Sequence, residues 1–452
     1  MNNLKRIYFI GIGGIGMSAL ARYFHKNGVE IHGYDRTETD LTRALAADGM
    51  RIHYEDNIAF IPENVDLVVW TPAVPPDHAE LNWFRQHGTP MKKRAEVLGI
   101  ISKNKRCIAV GGTHGKTTTS TLTAWLLRAT GVDATAFVGG ISGNMGSNFM
   151  EGDSDWVVVE ADEYDRSFLQ LYPEVAVINS VDPDHLDIYG SSDQVRASYH
   201  QFARQVNANG LLLLQTPDVL TPGTAWDTPA RVAGFGIDCG DYQASNIRVE
   251  NGFTLFDLNT PGHGVFNGLK LPYPGRHNVH NAVAAIAAAL YAGGDPGRVA
   301  QALADFKGVK RRFEYIARTP QTVYVDDYAH HPAELTATIL AARSLYPGIP
   351  VTGVFQPHLY SRTRDFADEF AAALDLLDDC MLLPVYPARE LPIEGVNAEL
   401  VLNKMTSSHK SIVQKADLLE VIKNKKPRLL LTMGAGDIDL MVNPLKQLFE
   451  QG

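Results

Sequence analysis

Cysteine is nearly missing from this chain: three in 452 residues, Cys107, Cys239 and Cys380, far apart and in no Cys-x-x-Cys pair. That scarcity excludes a disulfide-stapled module and a thiolate metal site of the usual spacing, and it fits a reducing compartment. Long apolar runs are missing too. The longest, Ala282 to Ala292, is far short of the ~20 residues that cross a bilayer. The opening Met1-Asn2-Asn3-Leu4-Lys5-Arg6 has neither the apolar core nor the cleavage site of a signal peptide, so a cytoplasmic protein is expected, with no membrane insertion. Nor is there a cationic surplus. Forty-one Lys plus Arg stand against 51 Asp plus Glu, a net charge of −10, which argues against a broad nucleic-acid or anionic-membrane surface. Any anionic ligand must be held by a local site.

What the chain has is length for about three domains and a repeated strand, helix, strand rhythm. Ile7 to Ile10 is followed by a helical stretch from about Gly14 to Lys26, then by strand-like Glu30 to Tyr34 and Leu67 to Trp70. A second series opens at Cys107 to Val110. A third opens at Thr322 to Val325 and continues through Val351 to Phe355, Met381 to Leu383 and Leu429 to Leu431. This alternation predicts parallel α/β sheets. The charged link Lys103-Asn104-Lys105 and the turn Arg318-Thr319-Pro320-Gln321 divide the chain into expected domains 1–103, 104–319 and 320–452. Between Gln215 and Gly275 short strands alternate with Pro-Gly turns, which predicts an antiparallel insert in the middle domain.

Two turns carry phosphate chemistry. Gly11-Ile12-Gly13-Gly14-Ile15-Gly16 joins the first strand to the first helix, and Asp35 ends the next strand. Such glycines let the backbone approach a pyrophosphate at a helix N-terminus, while the carboxylate can take a ribose hydroxyl. Alone, this turn also suits a nicotinamide-dependent dehydrogenase. Gly111-Gly112-Thr113-His114-Gly115-Lys116-Thr117-Thr118 lies between the strand Cys107 to Val110 and a helix running to about Ala129. Its amides suit phosphate, its lysine suits β and γ oxygens, and the Thr117 hydroxyl suits Mg²⁺. Val110 stands where the general pattern begins with glycine.

Acidic and polar clusters follow strand ends. Trp156 to Val159 delivers Glu160-Ala161-Asp162-Glu163, and Val175 to Ile178 leads toward Asp184-His185-Leu186-Asp187. Carboxylates suit Mg²⁺, and an imidazole suits a second metal or a phosphate. Asn281 in Arg276-His277-Asn278-Val279-His280-Asn281 has an amide able to read an adenine edge, and Arg312 has a charge for phosphate. Asp326 to Pro332 and Gln356 to Asp365 sit at strand ends in the third series, the usual ligand edge of a parallel sheet.

In this order the segments resemble the Mur ligase family along essentially the whole chain. The resemblance implies a Rossmann-like UDP-sugar domain, a central P-loop ATPase-type domain and a Rossmann-like C-terminal domain that binds the incoming amino acid. It implies a reaction in which the lactyl carboxylate of UDP-N-acetylmuramate takes the γ-phosphate of ATP, and the acyl phosphate is then attacked by an amine. On the same resemblance, Gly112, Thr113, His114, Gly115, Lys116, Thr117, Thr118, Asn281, Arg312 and Asp327 would bind ATP. Gly11, Gly13, Gly14, Gly16, Asp35, Ala73, Arg94, His114 and Asn148 would hold the UDP-sugar. His331, His358 and Arg362 would form the amino-acid pocket, Thr117, Glu160 and His185 would ligate Mg²⁺, and Lys116, His185 and Arg312 would be catalytic. A monomer or homodimer is expected.

One gap separates branches of the family. From Thr117 through Leu269 there is no lysine, so the carbamylated lysine that several sister ligases use in this stretch is excluded. The alanine-adding branch fits, as does the branch that reloads a recovered tripeptide. Tyr164 and Ala329 resemble the tripeptide branch, and Leu359 stands where alanine-adding enzymes often have Arg. The runs Val309 to Glu314 and Gln356 to Asp365 resemble the alanine branch, which is the expected one.

Overall fold

The computed structural model describes residues 4–182, 186–221, 223–250, 252–388 and 390–451. Three sheets form from the three predicted series. The first has five parallel strands in the order Arg51–His53, Glu30–Tyr34, Arg6–Ile10, Leu67–Trp70, Met91–Lys93. The chain leaves the central strand Arg6–Ile10 toward one side and later returns on the other. This opens a crevice at that strand's carboxyl end, where a doubly wound sheet binds ligands.

The second sheet has ten strands. Its order is Gly264–Leu271, Phe253–Thr260, Tyr242–Glu250, Arg231–Ile237, Leu211–Thr216, Val175–Ile178, Arg106–Gly111, Trp156–Glu160, Thr135–Phe137 and Phe149–Met150. Val157 to Val159, Val175 to Ile178 and Leu211 to Leu214 are fully buried, the continuous apolar pattern of strands covered on both faces. The insert differs from expectation at its start. Tyr242–Glu250 runs parallel, not antiparallel, to Arg231–Ile237, with Phe235 opposite Tyr242. The reason lies in the link: Asp238 and Gly240 both take positive φ, and Gly234 N donates to Asp241 Oδ2 at 2.7 Å. A loop this coiled returns the chain to its original direction within four residues.

The third sheet orders Glu314–Arg318, Val323–Asp327, Leu429–Met433, Val351–Phe355, Asp379–Leu382 and Lys410–Ile412, and only its first pair is antiparallel. Most predicted strands shift by two residues or fewer. By compactness, however, the chain makes two units: residues 1–246, 256–269 and 280–307, and residues 247–255, 270–279 and 308–452.

Inside the first unit the first two sheets share one apolar cluster. Tyr23 of the helix Ile15–Lys26 meets Phe137 and Phe149 edge-on, at centroid separations of 5.4 and 6.3 Å. Each such aromatic pair is worth about 0.5–1.5 kcal/mol beyond area burial. Asn148 reinforces the joint: its Nδ2 donates to Ile15 O and to Ser18 Oγ, and Arg22 Nη1 donates to its Oδ1 at 2.7 Å. Among the described residues no helix is long and apolar enough to cross a membrane.

Candidate functional site

Each turn works through a helix N-terminus that has no side-chain cap. In the first, Gly11 takes φ +86° and its N–H donates to Tyr34 O at 2.8 Å. Gly13 N donates to Asp35 Oδ2 at 2.7 Å, so the predicted ribose carboxylate also shapes the turn. The helix Ile15–Lys26 begins after Gly14 with no side-chain cap and no acid in its first turn, which leaves amide N–H groups and the positive end of the dipole for an anion. Arg94 lies against this end. A Cβ added to Gly16 would stand 2.5 Å from its Nη1.

A cavity of about 290 Å³ opens beside that helix end. It brings together Gly14, Gly16, Ala73 and Arg94 with Glu160 and Asp162. Arg94 Nη2 is 3.6 Å from Asp162 Oδ2. Candidate sugar residues from the first sheet and a candidate metal ligand from the second therefore face one space. Asn148 does not join them. The sequence reading set it beside the sugar, but it is fully buried and its amide is committed to Ile15, Ser18 and Arg22. Leaving such groups unsatisfied costs about 1–3 kcal/mol each, so in this structure Asn148 ties the two sheets together.

The second turn follows Arg106–Gly111 and starts the helix Lys116–Ala129. Gly115 is its cap, with φ +79°, no side-chain cap bond and no acid in the first turn. A Cβ there would lie 2.5 Å from Asn281 Oδ1 and 2.8 Å from Asn179 Nδ2. Thr119 links the same two amides: its Oγ1 donates to Asn281 Oδ1 at 3.1 Å and accepts from Asn179 Nδ2 at 3.0 Å. Asn281, read from sequence as an adenine contact, thus buttresses the turn from beneath. Asn179 and Ser180, whose Oγ accepts from His114 N at 2.9 Å, were missed as individuals. Their position just after Val175–Ile178, next to the central strand Arg106–Gly111, was the available signal.

Lys116 Nζ donates to Gly112 O at 2.8 Å and Thr113 O at 3.1 Å, and pairs with Glu163 at 2.9 Å to Oε1 and 2.8 Å to Oε2. Burial works to lower the pKa of this ammonium, but Glu163, Asp162 and Glu160 outweigh it and raise it, so Lys116 stays charged. Thr117 Oγ1 donates to Glu160 Oε1 at 3.1 Å, and Gly139 N donates to Glu160 Oε2 at 3.0 Å. Thr113 Oγ1 donates to Asp182 O at 2.8 Å, and His114 Nε2 lies 3.5 Å from Asp182 Oδ2. Thr118 is half-buried on the helix. His185 lies outside the described residues.

In the second unit, Asp327 Oδ2 accepts from Phe313 N and Oδ1 from Ala329 N, both at 2.7 Å. Burial pushes its carboxyl up to about 6, against the pull of Arg312. The Arg312 guanidinium lies 5.2 Å from the Tyr328 ring centroid. His331 caps the helix Pro332–Leu345, its Nδ1 accepting from Ala333 N at 3.4 Å, and its ring meets Phe366 edge-on. His358 stacks on Tyr386, with ring centroids 5.9 Å apart, and its centroid is 6.2 Å from that of His330. Burial drives His330 down to about 4, so it stands neutral at pH 7. Arg362 is buried on the short helix Tyr360–Asp365, which starts after Leu359 at φ +69°. The two predicted histidines at 331 and 358 are thus found in an aromatic setting.

Comparison with known proteins agrees with this layout. Residues 6–106 match a model described as Mur ligase family, catalytic domain; 110–289 match the Mur ligase middle domain; 311–436 match the Mur ligase, glutamate ligase domain. A protein of Flavobacterium psychrophilum named UDP-N-acetylmuramate--L-alanine ligase is 47% identical over 457 residues, covering 100% of both chains. One of the same name from Porphyromonas gingivalis W83 is 47% identical, covering 99% of each. Among solved structures, a UDP-N-acetylmuramate-alanine ligase of Thermotoga maritima superposes with TM-score 0.85 at 29% identity, covering 99% of each chain. A murein peptide ligase of Psychrobacter arcticus, at 23% identity and TM-score 0.73 over 98% of each chain, shares the fold.

Proposed function

This chain belongs to the Mur ligase family, and we propose that it is an ATP-dependent ligase that joins L-alanine to the lactyl carboxylate of UDP-N-acetylmuramate, a step of peptidoglycan precursor synthesis. The observation that carries the choice of substrates is full-length identity of 43–47% to relatives named for that reaction. The uncapped Gly115–Lys116 helix start and the cavity joining Arg94 to Glu160 support the chemistry.

The lactyl carboxylate attacks the γ-phosphorus, forming the acyl phosphate and releasing ADP. The alanine amine then attacks the acyl carbon, and inorganic phosphate leaves. Neither step needs a nucleophilic side chain. Both need charge cover and alignment. We assign that cover to Lys116 on the β and γ phosphates, with Gly112, Thr113, His114, Gly115 and Thr118 proposed as the rest of the ATP-binding turn. The Thr117 hydroxyl and the Glu160 carboxylate, 3.1 Å apart, are hard oxygen donors that fit Mg²⁺. Bound there, the cation would offset phosphate charge, and His185 is proposed for a second one.

The other assignments are carried as proposals: Gly11, Gly13, Gly14, Gly16, Asp35, Ala73 and Arg94 for the UDP-sugar, His114 beside its muramyl end, and Asn281 for adenine. Asp327 is proposed for the ATP ribose, Arg312 for the phosphates, and His331, His358 and Arg362 for alanine. Domain limits of 1–103, 104–319 and 320–452 are proposed with them, as is a cytoplasmic site of action, which the three free cysteines suit.

The test is phosphate release with ATP and UDP-N-acetylmuramate, each candidate acceptor being added in turn. Turnover with L-alanine is expected. Turnover with the tripeptide alone would transfer the assignment to the recycling branch, toward which Tyr164 and Ala329 lean.

A further inference from the structure

The ammonium of Lys116 has three N–H donors, and in this structure three acceptors meet it: Gly112 O, Thr113 O and the Glu163 carboxylate, which approaches with both oxygens at 2.8 and 2.9 Å. Glu163 is itself held from behind. It is 2% exposed, and its carbonyl accepts from Tyr189 Oη at 2.6 Å and from Arg166 N at 2.9 Å. Glu160, three residues earlier, is engaged elsewhere, between Thr117 and Gly139. Two acids at the end of one strand thus divide the turn between them, one at the hydroxyl and one at the ammonium. A phosphate arriving at the Gly115–Lys116 amides would need the same ammonium, and would meet the buried carboxyl of Glu163 beside it, which burial pushes up against the opposing pull of Lys116.

We propose that Glu163 is a latch on the P-loop lysine, an internal anion that a nucleotide phosphate must displace before Lys116 can reach it. The idea rests on the reading of this turn as the ATP site and assigns Glu163 a part that the sequence reading left undivided within the acidic cluster. Glu163 is a positioning residue in this account. It acts on the nucleotide through Lys116 and sets affinity for ATP against an occupied ground state. It also keeps the buried ammonium compensated when no nucleotide is present, since an unpaired buried charge is costly.

The test measures dissociation constants for MgATP by calorimetry in wild type, E163Q, E163D, K116M and the double variant K116M/E163Q, with UDP-sugar affinity as the check on folding. E163Q keeps the shape and removes the charge, so ATP affinity is expected to rise about tenfold, the scale of one charge-assisted hydrogen bond. E163D, one methylene shorter, should fall between wild type and E163Q. The KM for ATP should drop in parallel with the dissociation constant, and the gain should vanish in the K116M background. A folded E163Q that binds ATP no better than wild type, or a gain that persists without Lys116, overturns the latch. If E163Q does not fold, E163D carries the same decision, since weaker or unchanged binding there also overturns it. Wild type that binds no ATP at all would instead refute the ligase reading on which the latch depends.

Discussion

The two glycine turns of the first unit share a plan and differ in what surrounds it. Both join a central parallel strand to a helix whose N-terminus has no side-chain cap and no first-turn acid. At the first turn the nearby cation, Arg94, comes from another element and is half-exposed, with Asp162 3.6 Å away. At the second the cation belongs to the helix itself and is enclosed by two carbonyls and a buried carboxylate. The first turn suits a diphosphate that stays intact, held by a guanidinium from a neighbouring helix. The second suits a phosphate that is transferred, where charge must be fixed before the reaction begins.

The most severe break is Lys116→Ala, which should lower phosphate release by about 10³-fold or more while UDP-sugar affinity changes little. Equal loss of both would show that the turns are not separate. Gly115→Ala should follow. Its φ of +79° and the buried amides of Asn281 and Asn179 leave no room for a Cβ, so a loss of about 2–4 kcal/mol is expected in denaturant unfolding, with loss of ATP binding. Gly16→Ala sharpens the contrast, because its obstacle is the far end of Arg94. Stability should fall by less than about 1 kcal/mol, and UDP-sugar affinity by about tenfold as the guanidinium shifts.

The last prediction compares buried acids. Glu163 faces an ammonium, whereas Glu80 under the first sheet accepts from the Tyr8 hydroxyl at 2.7 Å and from Asn57 N at 3.1 Å. Burial pushes Glu80 up to about 7 from its usual 4.5. Below the lower value both folded and unfolded chains hold the proton. Between the two values only the folded chain does, so stability falls as pH rises across the window. Glu80→Gln should remove roughly 1–3 kcal/mol of that decline, read as unfolding free energy at pH 5 and pH 8. An identical pH slope in the variant would contradict it.

Strands and both turns were legible because continuous Val/Leu/Ile runs and glycine spacing are local signals. Glu30–Tyr34, Leu67–Trp70, Val175–Ile178 and Val351–Phe355 fall exactly where read. Side-chain destinations were less legible. Nothing near Asn148 in sequence reveals its partners Ser18 and Arg22, more than a hundred residues away. Asn281 could be singled out, but its partners Thr119 and Asn179 could not. The parallel return at Asp238 to Asp241 was hidden because a Cys-Gly turn reads as a reversal until its φ angles are known.

The edge-on contacts of Tyr23 with Phe137 and Phe149 carry a consequence for any attempt to dissect the molecule. The first hundred residues are not a detachable cassette: excising them would bare two phenyl rings and the far side of Asn148 to water. Hydrogen exchange should report the amides of Ile15–Lys26 and Thr135–Phe137 opening together, as one cooperative block whose melting takes both nucleotide turns with it.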